Sequence, residues 1–195
     1  MHDDKEPLKG LSRLASAGIA LAGVGLVALS GRGSNPTPEH PRTRRWYKRL
    51  DKPGFTPPDA VFGIGWSVIE TGQAISAYRL LRQPTSPVRN AALGLWAVNQ
   101  AAIAGWSSIF FGARRPGLGT AAAAAMIGTS AAYTATAARV DRTAAAASLP
   151  LVAWLGFATL LAEEVWRRNR DEPAEAAPGT WVGRRGAPLP PRSAD

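Results

Sequence analysis

The chain has 195 residues, enough for one domain, and carries 23 Lys+Arg against 14 Asp+Glu for a net charge of +9. It contains no cysteine, which excludes disulfides, thiolate metal sites and a cysteine nucleophile; its two histidines, His2 and His40, leave almost no material for a metal cage or a serine–histidine pair. The positive balance suits nucleic acid or an anionic membrane surface, and the placement of the charges along the chain decides between them.

A polar N-terminal tail, 1–10, precedes the first charge-poor interval: Arg13 and Arg32 enclose 18 uncharged residues. This predicts a spanning helix over 11–30. A signal peptide is the competing reading, with Lys5 and Lys9 as its basic region, but Asp3, Asp4 and Glu6 argue against it and "VALS" is a poor cleavage site. Residues 31–57 are polar and read as a loop. They include "WYKRLDKPGFTPPD", in which Trp46 and Tyr47 are rings suited to a membrane interface beside the cations Arg44, Arg45, Lys48 and Arg49. Pro53, Pro57 and Pro58 stiffen this loop, so that it is able to act as a lid over a space between helices.

A second helix is predicted over 58–81, where Asp59 and Arg79 enclose 19 residues with one charged exception, Glu70. A third, 88–111, lies in the 24 uncharged residues between Arg89 and Arg114. The fourth, 116–138, fills the 23 between Arg115 and Arg139 and is rich in alanine; a surface helix of a soluble bundle is its alternative, although a soluble helix normally carries a charged face. The fifth, 143–167, uses the 20 residues between Arg142 and Glu163. Residues 171–195 are rich in Pro, Ala and Gly and read as a disordered basic tail. A helix needs about 20 apolar residues to cross a hydrocarbon core of about 30 Å, and it satisfies its own backbone groups there. The fold class is therefore all-α, a polytopic membrane bundle of five helices.

Five spans put the chain ends on opposite sides. Eight basic residues then fall on the side of the N-terminus and fifteen on the other. The positive-inside rule places the N-terminus outside and the C-terminus in the cytoplasm, which accounts for the charge without nucleic acid. The Ala/Arg bias is that of a high-GC bacterium, whose inner membrane is the expected location.

Two features of the spans invite chemistry. Trp66, Trp96, Trp106, Trp154 and Trp166 lie in or at the ends of the helices. Each fills core space or marks an interface on one reading and walls a pocket for a flat apolar ligand on the other. Trp66 and Glu70 are i, i+4, with Phe62 and Gln73 near the same face. Glu70 is a carboxyl near mid-span, either hydrogen-bonded inside the bundle or a polar group of a pocket wall. Small residues Ala97, Ala101 and Gly105 recur every four positions on the third helix, which suits close packing or a homodimer face.

Three stretches, "WYKRLDKPGFTPPDAVFGIGW" (46–66), "WSSIFFGARRPG" (106–117) and "LPLVAWLGFATLLAEEVWRRN" (149–169), together resemble the hallmarks of the TspO/MBR family, the tryptophan-rich sensory or translocator proteins. The resemblance implies a five-helix membrane bundle, often dimeric, that binds porphyrins and other flat apolar small molecules. By matching position it implies a ligand site of Phe62, Gly63, Gly65, Trp66, Glu70, Trp106, Ala121, Trp154, Ala158 and Leu161. Glu70 stands where the family has a tyrosine, and Ile103, Leu151 and Ala162 stand where it has other polar handles. The implied function is binding of a porphyrin or haem-type tetrapyrrole for sensing, transport or regulation, with membrane lipid around it and no required cofactor or metal. Two alternatives stand beside it: light- and oxygen-dependent degradation of protoporphyrin by Trp66 and Trp154, and a membrane scaffold acting through protein partners.

Overall fold

A computed structural model describes residues 9–170; the expected C-terminal tail, 171–195, and most of the polar N-terminal tail lie outside the described residues. Within them the chain is helical, with no strand. There are five long helices, α1 (Arg13–Arg32), α3 (Asp59–Arg82), α4 (Pro87–Ser107), α5 (Pro116–Ala138) and α6 (Arg142–Asn169); the connections after α3, α4 and α5 are short, and α1 joins α3 through the long segment 33–58. A short sixth, α2 (Pro41–Arg49), lies in the segment 31–57 that the sequence reading treats as a loop. The expected helix over 88–111 also differs: its α-helical part stops at Ser107 and a single π turn, Ser108–Gly112, completes it.

The helix starts follow local chemistry. Ser12, Ser86 and Asp141 accept hydrogen bonds from the amides of Ala15 (3.2 Å), Arg89 (3.2 Å) and Ala144 (2.8 Å), each satisfying one orphan donor of a first turn. Pro87 and Pro116 sit in first turns, where a missing N–H costs nothing. Pro150 lies inside α6 and removes one backbone bond from that helix.

α6 packs between α5 and α3, α4 packs on α5 and α1, and α1 closes against α3. Small residues set these approaches. A Cβ at Gly72 would collide with the carbonyl of Ala147 on α6, and one at Gly23 would collide with the Trp96 ring on α4.

The exterior carries large apolar side chains where a soluble bundle carries charge. Leu14, Leu21 and Leu26 of α1, Ile64 and Val68 of α3, and Leu160 of α6 are exposed. Buried polar groups link the helices inside instead. Ser76 meets the Tyr133 hydroxyl at 2.5 Å and donates to the carbonyl of Ala144 at 2.6 Å. Asn99 Oδ1 accepts from Thr129 (2.7 Å) and Ser130 (3.2 Å), and Thr134 meets Ser148 at 2.8 Å. An apolar exterior around an interior held by small and hydrogen-bonding residues is the packing logic of helices in lipid. α1 and α6 are long and apolar enough to cross a membrane by length and composition.

Candidate functional site

At the end of the bundle that carries α2, aromatic rings pack in two groups, Trp46, Tyr47, Trp106, Phe110 and Phe111 in one and Phe55, Phe62, Trp66, Trp154 and Phe157 in the other. The core of the site comes from α3 and α6, where Phe62 and Trp66 both meet Trp154 edge-on, at ring separations of 5.6 and 6.1 Å. One turn on, Phe157 lies 5.6 Å from Trp154 and 6.5 Å from Phe55 of the loop before α3. Trp106 enters from α4, stacked on Phe110 at 4.9 Å and edge-on to Phe111 at 5.7 Å.

The π turn explains how Phe110 and Phe111, adjacent in sequence, both face this cluster. In a regular helix successive residues diverge by about 100°, whereas a π turn widens the last coil locally. Trp106 Nε1 donates to the carbonyl of Gly119 at 2.8 Å, which fixes the indole against the start of α5. Arg114 follows with φ of 54°, a left-handed conformation that is uncommon for a side chain of this kind.

α2 closes the site from above. Trp46 lies edge-on to Phe110 at 6.3 Å and Tyr47 edge-on to Phe111 at 5.4 Å. The two rings expected as anchors in the membrane interface are thus turned inward and half-buried on the bundle. The reason is the helix itself: its period points Trp46 and Tyr47 down and leaves Arg42, Arg44, Arg45, Lys48 and Arg49 exposed on the opposite side. Lys52 ties the end of α2 to the loop, donating to the carbonyls of Tyr47 (2.7 Å) and Leu50 (3.1 Å) with its ammonium 4.8 Å from the Tyr47 ring centre. Burial pushes the Lys52 ammonium below its ordinary pKa, against the opposing pull of Asp51 and Asp59. Burial, and then the charge of Asp59, raise that of the Tyr47 phenol. Asn169 at the end of α6 accepts from the Asp51 amide and donates to its carbonyl, both at 2.9 Å, pinning the loop to the bundle.

The expected site residues separate into two groups. Trp66, Trp106 and Trp154 pack against one buried apolar cluster of Val27, Ile69, Ile103, Met126, Leu151 and Leu155. Phe62 and Leu161 belong to the adjoining cluster with Leu50, Phe110 and Val165. Gly65 faces Trp154 directly, and Glu70 is half-buried one turn beyond Trp66 on the same helix face. Ala158 is half-buried on α6. Gly63 and Ala121 are not brought in. Both are exposed, Gly63 in a shallow groove on the outer face of α3 with Ala60, Ser67 and Thr71. The small residues Ala97, Ala101 and Gly105 are likewise exposed on α4. Ile103 and Leu151, noted only as departures from the family pattern, form part of the apolar floor. Among the described residues no group of three or more His, Cys, Asp or Glu side chains comes together as a metal site.

An all-helical bundle with an apolar exterior, a polar-laced interior and a tryptophan-rich cluster at one end defines a class, the small helical membrane proteins. Comparison with known sequences narrows the class: the TspO/MBR family matches residues 18–167, and the chain belongs to that family. It is similar to the human translocator protein, with 33% identity over 132 residues, 67% of this chain and 78% of the human protein. It is similar to Protein CrtK of Rhodobacter capsulatus, with 33% identity over 129 residues, 65% of this chain and 80% of that protein. It also resembles the tryptophan-rich sensory protein of Cereibacter sphaeroides, with 29% identity over 138 residues, 68% of this chain and 82% of that one.

Proposed function

We propose that this chain spans a bacterial inner membrane five times and binds a flat tetrapyrrole such as a porphyrin among Phe62, Trp66, Trp106 and Trp154, for sensing, transport or regulation. The observation that carries this reading is the convergence of Trp66, Trp106 and Trp154, from three helices, on one apolar cluster. Such closely packed rings suit a planar aromatic ligand that inserts among them, because edge-to-face and offset contacts each add about 0.5–1.5 kcal/mol beyond area burial. The exposed cations of α2 stand at the mouth of the site, where they favour a ligand carrying carboxylates. α2 and the loop before α3 act as the lid: ring contacts and Asn169 tie them to the bundle, and lifting them opens the cluster. The N-terminus lies outside and the C-terminus in the cytoplasm, on the basic asymmetry of the chain. The exposed Ala97, Ala101 and Gly105 supply a homodimer face on α4.

A second reading, degradation of protoporphyrin in light, draws on the direct contact of Trp66 with Trp154, which places two oxidisable indoles side by side at 6.1 Å. Titration of the purified protein with protoporphyrin IX, in the dark and in light, separates the two. Binding in the dark with an unchanged porphyrin spectrum under light supports the binder. Bleaching that needs the protein supports the degrading activity, and no saturable binding in either condition rejects both.

A further inference from the structure

At the opposite end of the bundle from the aromatic site, the starts of α1 and α6 and the end of α3 enclose a pocket of about 300 Å³ lined by Arg13, Tyr78, Arg79, Arg82, Gln83 and Asp141. Bonds between the entry to α1 and the end of α3 hold one side of it. The Leu11 amide donates to the carbonyl of Leu81 at 2.9 Å, Arg82 Nη1 donates to the carbonyl of Leu11 at 2.8 Å, and Arg89 donates to the carbonyls of Leu80 and Leu81, both at 3.0 Å. A Cβ at Gly10 would collide with the Arg82 carbonyl, so the entry to α1 lies hard against the end of α3.

Three guanidinium groups face this space and one carboxylate does. That carboxylate is fully engaged. Asp141 Oδ1 accepts from Arg79 Nε (3.0 Å) and the Ala144 amide (2.8 Å), while Oδ2 accepts from Arg79 Nη2 (2.9 Å) and Gln83 Nε2 (3.0 Å). Asp141 and Arg79 thus neutralise one another. Arg13 and Arg82 have no carboxylate partner among the described residues, and Arg82 spends one N–H on Leu11. Two guanidinium forks around a polar recess match the tetrahedral oxygens of a phosphate, which accepts paired N–H bonds. Tyr78 completes the lining. We propose that this pocket binds a phosphate group held by Arg13 and Arg82, either the headgroup of an anionic phospholipid or free phosphate.

The test uses the full chain purified in neutral detergent and native mass spectrometry with dioleoylphosphatidylglycerol, dioleoylphosphatidylcholine and inorganic phosphate as probes. The wild type should retain the glycerol lipid over the choline lipid, and Arg13→Gln and Arg82→Gln should each lower that retention by about tenfold, in line with loss of one charge-assisted hydrogen-bonded group. Competition by millimolar phosphate identifies a free phosphate group as the ligand, and indifference to it identifies the lipid. Circular dichroism melting of each variant establishes that the fold is kept. Should Arg82→Gln unfold through loss of its bond to Leu11, Arg13→Gln, which removes no hydrogen bond to a described residue, carries the test alone. Equal retention of both lipids by wild type and Arg13→Gln, with no phosphate binding, overturns the proposal.

Discussion

Gly65 on α3 lies so close to Trp154 on α6 that a Cβ built on it would stand 2.8 Å from the indole Cζ3. The absence of a side chain at Gly65 is what lets Trp154 reach across to Phe62 and Trp66. Gly65→Ala should therefore turn the Trp154 ring away or push α3 from α6. The expected cost is about 1–3 kcal/mol, as for overpacking elsewhere, with altered near-ultraviolet circular dichroism of the indoles. Melting of the detergent-solubilised variant checks it. An unchanged melting temperature and spectrum would show that the α3–α6 crossing relaxes freely.

Trp66→Phe keeps a ring beside Trp154 while removing the indole. If Trp66 is a wall of the site, porphyrin affinity should fall by roughly tenfold or less, since one aromatic contact is worth about 1 kcal/mol. If its indole is the oxidised group, binding should stay and light-dependent bleaching should vanish. Titration in the dark and bleaching in light are read on the same samples.

Glu70 shares the face of Trp66 one turn further along α3. An ionised carboxylate there repels the acid groups of a porphyrin. Glu70→Gln should tighten protoporphyrin binding and flatten its dependence on pH between roughly 5 and 8. Identical affinities for wild type and variant across that range would remove Glu70 from the site.

Asp141 couples α6 to α3 at the other end of the bundle. Its side chain is only 6% exposed. Burial opposes its ionisation, but the bonds from Arg79 and from the Ala144 and Thr143 amides outweigh it and hold the carboxyl below its ordinary pKa. A depressed folded-state pKa contributes stability that is fully present above the unfolded value of 3.8 and is lost as pH falls through the folded value. Asp141→Asn should cost about 0.5–1 kcal/mol near neutral pH, for the lost charge of a partly exposed ion pair, since asparagine caps a helix as well as aspartate does. The melting curves of wild type and variant should converge below the ordinary aspartate range. A difference that persists undiminished in acid would mean that packing, not charge, makes the contribution.

Much of the architecture is legible in where charges are missing. Four of the five charge-poor intervals lie within one long helix each, because a run without charge has no place to turn toward water; the third, between Arg89 and Arg114, runs through α4 and on past its π turn. α2 was not legible: "PRTRRWYKR" carries five cations in nine residues, and its only large apolar side chains are the adjacent Trp46 and Tyr47, too few to announce a helix. Its helical form depends on two rings finding Phe110 and Phe111, a tertiary contact that no local pattern announces. The same contact turned Trp46 and Tyr47 from interface anchors into part of the site.

The span average conceals a further point. α3 and α4 carry Gln73, Ser76, Asn99 and Gln100, all buried, and these polar groups lower the mean hydropathy of helices whose outer faces are apolar. α1 and α6 keep the polarity out of their middles and pass a length-and-composition test for a membrane span. Among the site residues, Trp66, Trp106 and Trp154 were readable as rings at spaced positions. Phe110, Phe111 and Phe157 were passed over, although "FF" after Trp106 and a phenylalanine three residues after Trp154 were available signals. Gly63 and Ala121 entered by position in the family pattern alone, and a residue matched that way need not face the site on this backbone.

The central claim is that the tryptophan cluster beneath α2 is where a tetrapyrrole binds. The most direct measurement is the affinity and stoichiometry of protoporphyrin IX, by Soret absorbance in the dark, for the wild type and for Trp66→Ala combined with Trp154→Ala. The account predicts saturation at one porphyrin per chain in the wild type and an affinity at least about tenfold weaker in the double variant, with helicity retained. Equal saturable binding by both proteins, or no saturable binding by the wild type, would contradict it.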